Sequence, residues 1–231
     1  MLKILKLMTL TLALVVTYQV SATDNKLSGE EKAGGWQLLF NGSDLSQWRN
    51  FKSDALSPKW QIQDNALTMV EQGGGDILTK ASYQNFELKL DWKISIAGNS
   101  GIFILVDETG NAIYSHAPEI QILDNERHSD NKFDTHLSGA LYDMMAPPVA
   151  SQKPAGKWNQ VIIRLEDSHL QVTQNGVVTV SIVIGSTSWN TLVANSKFAN
   201  WQGFAKADSG HIGLQDHGDQ VWFKNIKIKE L

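Results

Sequence analysis

The clearest pattern in the chain is an alternation of apolar and polar positions over residues 85–96. Phe86, Leu88, Leu90, Trp92, Ile94 and Ile96 fall on one side, and Glu87, Lys89, Asp91, Lys93 and Ser95 on the other. A period of two over that length predicts a long antiparallel strand with one face in a core and one in water. Gly98-Asn99-Ser100-Gly101 predicts a turn into an apolar run, residues 102–106, that suits a central strand. Further strands are predicted over residues 158–166, 169–174 and 177–184, the last two joined by Asn175-Gly176, a strong hairpin signal. The chain closes on residues 221–231, where Ile226 and Ile228 alternate with Lys227 and Lys229. Residues 186–198 are the best helical candidate, with Ser186 or Ser188 as cap and Trp189, Leu192 and Val193 at helical spacing.

Two shorter alternating segments carry chemistry. In residues 117–125, Ile120 and Ile122 share one face while Glu119 and Gln121 share the other. In residues 210–219, Ile212 and Leu214 oppose His211, Gln215 and His217. A carboxylate, amides and imidazoles therefore project from sheet surfaces, where they can line a polar cleft suited to sugar binding and proton transfer. Short strands joined by Gly, Asn and Asp turns, with no linker, repeat or low-complexity stretch, predict an all-β protein. The expected architecture is an antiparallel β-sandwich or jelly roll with one short helical insertion.

The N-terminus changes the picture of where this domain works. Lys3 and Lys6 precede an apolar run from Leu7 to Val16 and then Val20-Ser21-Ala22, the order of a secretory signal peptide. Residues 1–22 are thus read as a signal peptide, 23–33 as a flexible polar leader, and 34–231 as one β-sandwich domain. An exported protein, periplasmic or secreted, free of the membrane after cleavage, is expected. Cysteine is absent, so the core must suffice without disulfides. A formal charge of −4 with mixed signs lacks the basic footprint that nucleic-acid binding needs. Eight tryptophans against four tyrosines leave aromatic surface to spare for stacking on sugar rings.

Among candidate site residues, Glu119 and Gln121 stand first, on a strand entered through Pro118 and followed by a dense polar loop, residues 124–130. Asp124, Asn125, His128 and Asp130 in that loop match neither a calcium loop nor a zinc spacing, so no metal is expected there. Gln215-Asp216-His217-Gly218 places a carboxylate beside an imidazole, although neighbours on a strand face opposite ways and need the Gly218 turn to meet. Asn99, Tyr142 and Trp158 are weaker candidates for sugar contacts. A phosphate loop, nucleophile elbow and zinc signature are all missing.

Read in order, these segments resemble the bacterial 3-keto-disaccharide hydrolase domain family. The matching pieces are Trp36-Gln37-Leu38-Leu39-Phe40-Asn41-Gly42 with Leu45 and Trp48, then Trp60, Leu78-Thr79, Tyr83 and Phe86-Glu87-Leu88. Gly98-Asn99-Ser100-Gly101-Ile102, Pro118-Glu119-Ile120-Gln121-Ile122-Leu123-Asp124-Asn125, Gly139-Ala140-Leu141-Tyr142, Lys157-Trp158-Asn159, Asn175-Gly176 and the 210–218 segment complete the set. The resemblance implies a concanavalin-like jelly roll acting on glycosides whose glucose unit is oxidised at C3. Residues 186–198 look like an insertion beside the cleft.

A ketone at C3 acidifies the C2 hydrogen, so a base can take that proton and the C1 aglycone can leave by elimination; water then adds back. Such a site needs a base near C2, donors on the C3 oxygen and an acid for the leaving oxygen. Glu119 and His217 are expected as the acid–base pair, in either order. Asn99, Gln121 and Gln215 would orient hydroxyls or the ketone, with Asp216 or Asp124 supporting the histidine or binding sugar, and Tyr142 and Trp158 adding contacts. No cofactor is expected, although a divalent ion would be able to replace the enolate donors. The expected partner is a small carbohydrate; oligomeric state is not legible. A two-carboxylate glycosidase and a non-catalytic lectin-like module are the alternatives.

Overall fold

The computed structural model describes residues 24–231, and the signal peptide read at 1–22 lies outside them. Thirteen strands occur among the described residues: β1 (Gln37–Leu38), β2 (Trp48–Asn50), β3 (Trp60–Gln63), β4 (Ala66–Met69), β5 (Ile77–Thr79), β6 (Phe86–Ile94), β7 (Asn99–Val106), β8 (Glu119–Leu123), β9 (Asn159–Glu166), β10 (His169–Gln174), β11 (Val177–Val183), β12 (His211–Leu214) and β13 (Val221–Glu230). They form two antiparallel sheets. The larger runs β11-β10-β9-β6-β13-β4-β3, with β1 also on β13, and the smaller runs β2-β5-β12-β7-β8.

The core lies between the sheets because each contributes one apolar row. From the larger come Phe86, Leu88, Leu90, Trp92 and Ile94 of β6 with Val221, Phe223, Ile226 and Ile228 of β13; from the smaller come Ile102, Ile104, Ile120, Ile122, Ile212 and Leu214. Each fully buried side chain of this size contributes about 1.5–3 kcal/mol relative to exposure. The alternation read at 85–96 is realised over β6, but Ile96 is 72% exposed because the chain turns away at Ser95–Gly98, where the Gly98 amide donates to the Ser95 carbonyl (3.1 Å). The turn expected at 98–101 therefore comes earlier, and Asn99, Ser100 and Gly101 are already strand. Asn175 and Gly176 both adopt positive φ (49° and 84°) between β10 and β11, as the hairpin signal requires.

The polar stretch read as a flexible leader is held down over its described part. Asn25 and Asn225 exchange amide-to-side-chain hydrogen bonds (2.7 and 2.8 Å) at an irregularity in β13, and Asp24 pairs with Lys224. A short helix, α1 (Gly29–Ala33), carries a capping box at Ser28 and pairs Glu31 with Lys227. The predicted insertion folds as α2 (Thr187–Ala194), capped by Ser186, followed by a 3₁₀ turn at Lys197–Asn200. Trp189 is buried and anchors α2, which packs on β11, while the 3₁₀ turn brings Lys197 beside Glu119 and Gln121 of β8. Among the described residues, no helix is long and apolar enough to cross a membrane.

Candidate active site

The smaller sheet buries one face in the core and builds a cavity of about 140 Å³ on the other. Register decides which residues reach it. Gly101 of β7 lies opposite Gln121 of β8, and Phe103 opposite Glu119, so these four share the face turned away from Ile120 and Ile122. β12 adjoins on the far side of β7, where the Gln215 amide donates to the Gly101 carbonyl (3.0 Å) and Ser100 Oγ donates to the Gln215 carbonyl (2.9 Å). The outer edge of β8 is covered by residues 139–142: the Gly139 and Tyr142 amides donate to the Gln121 and Glu119 carbonyls, and the Gln121 amide to Ala140. Glu119, Gln121, Asn99, Gln215 and His217 all line one cavity, as do Tyr142, Tyr114 and Lys197.

Glu119 is buried, and burial pushes its carboxyl up to about 8, with Asp76 and Asp130 adding to the shift and Lys197 opposing it. At neutral pH the group therefore carries its proton. Space for it comes from the neighbouring strand. A Cβ at Gly101 would stand 2.2 Å from Glu119 Oε1 and 2.9 Å from its Cγ and Cδ. Gly101→Ala is expected to destabilise the fold by about 1–3 kcal/mol through overpacking and to lower turnover at least about tenfold by displacing the carboxyl. A melt and a rate measurement check this; an unchanged rate would show that the carboxyl position does not matter.

Lys197 and Tyr114 were not found by sequence reasoning. Lys197 opens the 3₁₀ turn after α2, and its Nζ sits 4.1 Å above the Tyr142 ring. Burial of its ammonium end lowers its proton affinity, while Glu119, Asp143 and Asp130 pull the other way. The turn is fixed by the Lys197 amide donating to Asp143 Oδ2 (2.6 Å). Asp143 Oδ1 meets His136 Nε2 (3.0 Å), His136 Nδ1 meets Asp130 Oδ1 (2.8 Å), and Tyr142 Oη donates to Asp130 Oδ2 (3.0 Å). A relay of carboxylates and one imidazole thus locks the cation and the phenol against the cavity wall. Burial and Asp130 both push the Tyr142 phenol upward, so it stays a neutral donor.

The amides are only partly satisfied. Gln121 Oε1 accepts from the Ile122 amide (2.9 Å), whereas Asn99 Oδ1 and Gln215 Oε1 are buried without a partner. Buried acceptors left open cost about 1–3 kcal/mol each, a cost that hydroxyl donors of a bound ligand remove. His217 is exposed at the mouth, its ring 6.1 Å from that of His128. His128, His217 and Asp219 hold potential ligand atoms within 4.8 Å of one another. His128 Nδ1, however, accepts from the Asp130 amide (3.1 Å), which puts the proton of the neutral ring on Nε2 and leaves no free lone pair. Asp219 Oδ2 accepts from the Asn99 backbone amide (3.0 Å), which leaves lone pairs on the carboxylate, so His128 is the limiting member. The trio fits a metal poorly, because binding would break a hydrogen bond that shapes the loop.

Three other candidates lie elsewhere. Asp124 is buried but turns to the Ala97 and Glu126 amides (2.8 and 3.2 Å), closing the loop after β8. Asp216, just past the end of β12, accepts from the Gly73, Gly75 and Gly218 amides, which turn its carboxylate toward the 73–75 loop rather than to His217. Trp158 sits at the start of β9 in the larger sheet, under Lys93 and Lys224 at 5.1 and 4.5 Å. His211, placed by alternation with Gln215 and His217, keeps that face but pairs with Val106 at the other end of β12, where it sits beside Arg49 and Ser82.

Residues 35–229 match the model of the 3-keto-alpha-glucoside-1,2-lyase-like domain. The chain belongs to this family. A 3-keto-disaccharide hydrolase of Bacteroides thetaiotaomicron is 34% identical over 230 residues, covering 86% of this chain and 79% of that protein. A crystal structure of a candidate glycosyl hydrolase from Parabacteroides distasonis superposes with a TM-score of 0.85 at 33% identity, over 90% of this chain and 100% of the other. A Bacillus subtilis protein with a galectin-like fold, 10% identical with a TM-score of 0.51 over 90% and 95% of the two chains, shares the sandwich alone. Family membership makes the chain a carbohydrate-cleaving enzyme, built on the antiparallel sandwich that the strand pattern predicts.

Proposed function

We propose that this enzyme cleaves 3-keto-glycosides by elimination followed by hydration, with Glu119 as acid and His217 as base. The observation that carries the reading is a carboxyl, protonated at neutral pH by its burial, sharing a small polar cavity with an exposed imidazole. His217 takes the C2 proton, and the C–H electron pair moves into an enolate whose oxygen is the former C3 ketone. Lys197 and the amide groups of Asn99, Gln121 and Gln215 supply positive charge and donors for that oxygen. The enolate collapses to re-form the ketone, the C1–O bond breaks, and the leaving oxygen takes the Glu119 proton. For hydration the roles reverse: Glu119 carboxylate takes a proton from water, hydroxide adds at C1, and imidazolium returns a proton to C2.

The cavity wall supports this reading over a two-carboxylate glycosidase, since among the described lining residues Glu119 is the one carboxylate. A purely binding module would gain nothing from a buried carboxyl held protonated against solvation. We further propose that the reaction runs without a bound cofactor, in an exported, periplasmic or secreted enzyme whose partner is a small carbohydrate. The test is turnover of a plain disaccharide and its 3-keto form, each with and without EDTA. Cleavage of the oxidised sugar alone, insensitive to EDTA, is the expected result. Cleavage of the plain sugar overturns the 3-keto assignment, and loss under EDTA that a divalent ion restores overturns the cofactor-free one.

A further inference from the structure

A second cavity, of about 330 Å³, opens beside the first, and Tyr114 lines both. Its walls come from the 109–116 loop and from residues 201–203, just after the 3₁₀ turn that delivers Lys197. Tyr114 is 45% exposed, and its ring stands 6.1 Å from that of Trp201 at a 41° tilt. Trp201 rests on a fixed aromatic base: its ring meets Phe198 edge-on at 5.1 Å, and Phe198 stacks on Phe204 at 4.0 Å, both nearly fully buried. The loop and the turn are locked together at His116. Its carbonyl accepts from the Ala205 amide (2.7 Å), its Nδ1 meets Asp107 (3.0 Å), and a Cβ at Gly203 would stand 2.1 Å from its Nε2. The absence of a side chain at Gly203 lets the two segments close into one wall. Asn111 and Gln202 leave exposed amides around the aromatic pair.

We propose that this outer cavity is a subsite for the leaving sugar, in which a pyranose ring stacks on Trp201 and Tyr114 while Asn111 and Gln202 bind its hydroxyls. A rigid, partly exposed aromatic pair ringed by amides is suited to a ring with one apolar face and an equatorial rim of hydroxyls. Its contiguity with the inner cavity through Tyr114 fixes the occupant as the group attached at C1 of a ring bound beside Glu119. This assignment rests on the reading of the inner cavity given above, and it makes the enzyme selective for disaccharides over glycosides with small leaving groups.

The test compares Trp201→Ala and Trp201→Phe with the native enzyme on a 3-keto disaccharide and on methyl 3-keto-glucoside. Trp201→Ala is expected to lower kcat/KM about tenfold for the disaccharide, mainly through KM, and less than about twofold for the methyl glycoside. Trp201→Phe should restore most of the loss. Equal losses on both substrates, or none on either, overturn the subsite. Should native enzyme process neither sugar, the inner-site reading fails, and direct binding of free glucose decides the outer one. Saturation-transfer NMR with glucose should then give a signal that Trp201→Ala abolishes; a signal unaffected by the substitution overturns the proposal.

Discussion

Glu119→Gln is expected to lower turnover of a 3-keto-glycoside by about a hundredfold or more while making the protein more stable. In the unfolded chain the carboxyl ionises near 4.5, whereas in the fold burial holds it near 8. Between those values the unfolded state binds fewer protons than the native one, so the group lowers stability progressively as pH rises through that window. Below about 4.5 both states are protonated and the cost vanishes. At pH 7 it amounts to about 3 kcal/mol. Glutamine is neutral throughout, so the gap in melting temperature between variant and native protein should widen from pH 5 to pH 8. Native turnover should fall as pH rises past about 8, where the acid loses its proton. A gap that stays flat with pH would show that Glu119 is not held protonated.

His217→Ala should give a comparable loss, about a hundredfold or more on the same substrate, with almost no change in stability. The imidazole is exposed at the cavity mouth, edge-on to the His128 ring, so its removal should move the melting temperature by no more than a degree or two. Rates measured under single-turnover conditions separate the two variants further. Without the base, C2 deuterium exchange of the bound sugar should disappear along with cleavage. Without the acid, exchange should persist while the C1–O bond stays intact. Exchange surviving in His217→Ala would hand the base role to another residue.

Alternation along two short segments was enough to bring Glu119, Gln121, Gln215 and His217 together, because a period of two assigns a face without knowledge of the partner strand. Asp124 and Asp216, one residue out of phase with the cluster, lie past the ends of β8 and β12, where no strand fixes a face. Their carboxylates tie down loop amides instead: each accepts from the amide two residues on, an Asx-type contact, and Asp124 also from Ala97. His211 shows the limit of parity: it keeps the face but pairs with Val106 at the other end of β12, because alternation says nothing of position along a strand relative to its neighbours. Trp158 was legible as an aromatic at a strand start, but only sheet order assigns β9 to the larger sheet. Lys197 and Tyr114 had no local signal, since each reaches the cavity from an irregular segment whose course depends on tertiary contacts. The helical stretch before Lys197 was readable from its cap and spacing, yet periodicity says nothing about where such an arm lands.

The vacancy above β7 has a bearing on how this scaffold diversifies. Because the acid at 119 occupies volume that a neighbour at 101 forgoes, the two positions cannot drift independently. A single nucleotide change that gives residue 101 a methyl group displaces the Glu119 carboxyl while leaving the amide-lined hollow largely in place, so, on the proposed assignment, a sugar-retaining descendant with impaired chemistry lies one mutational step away.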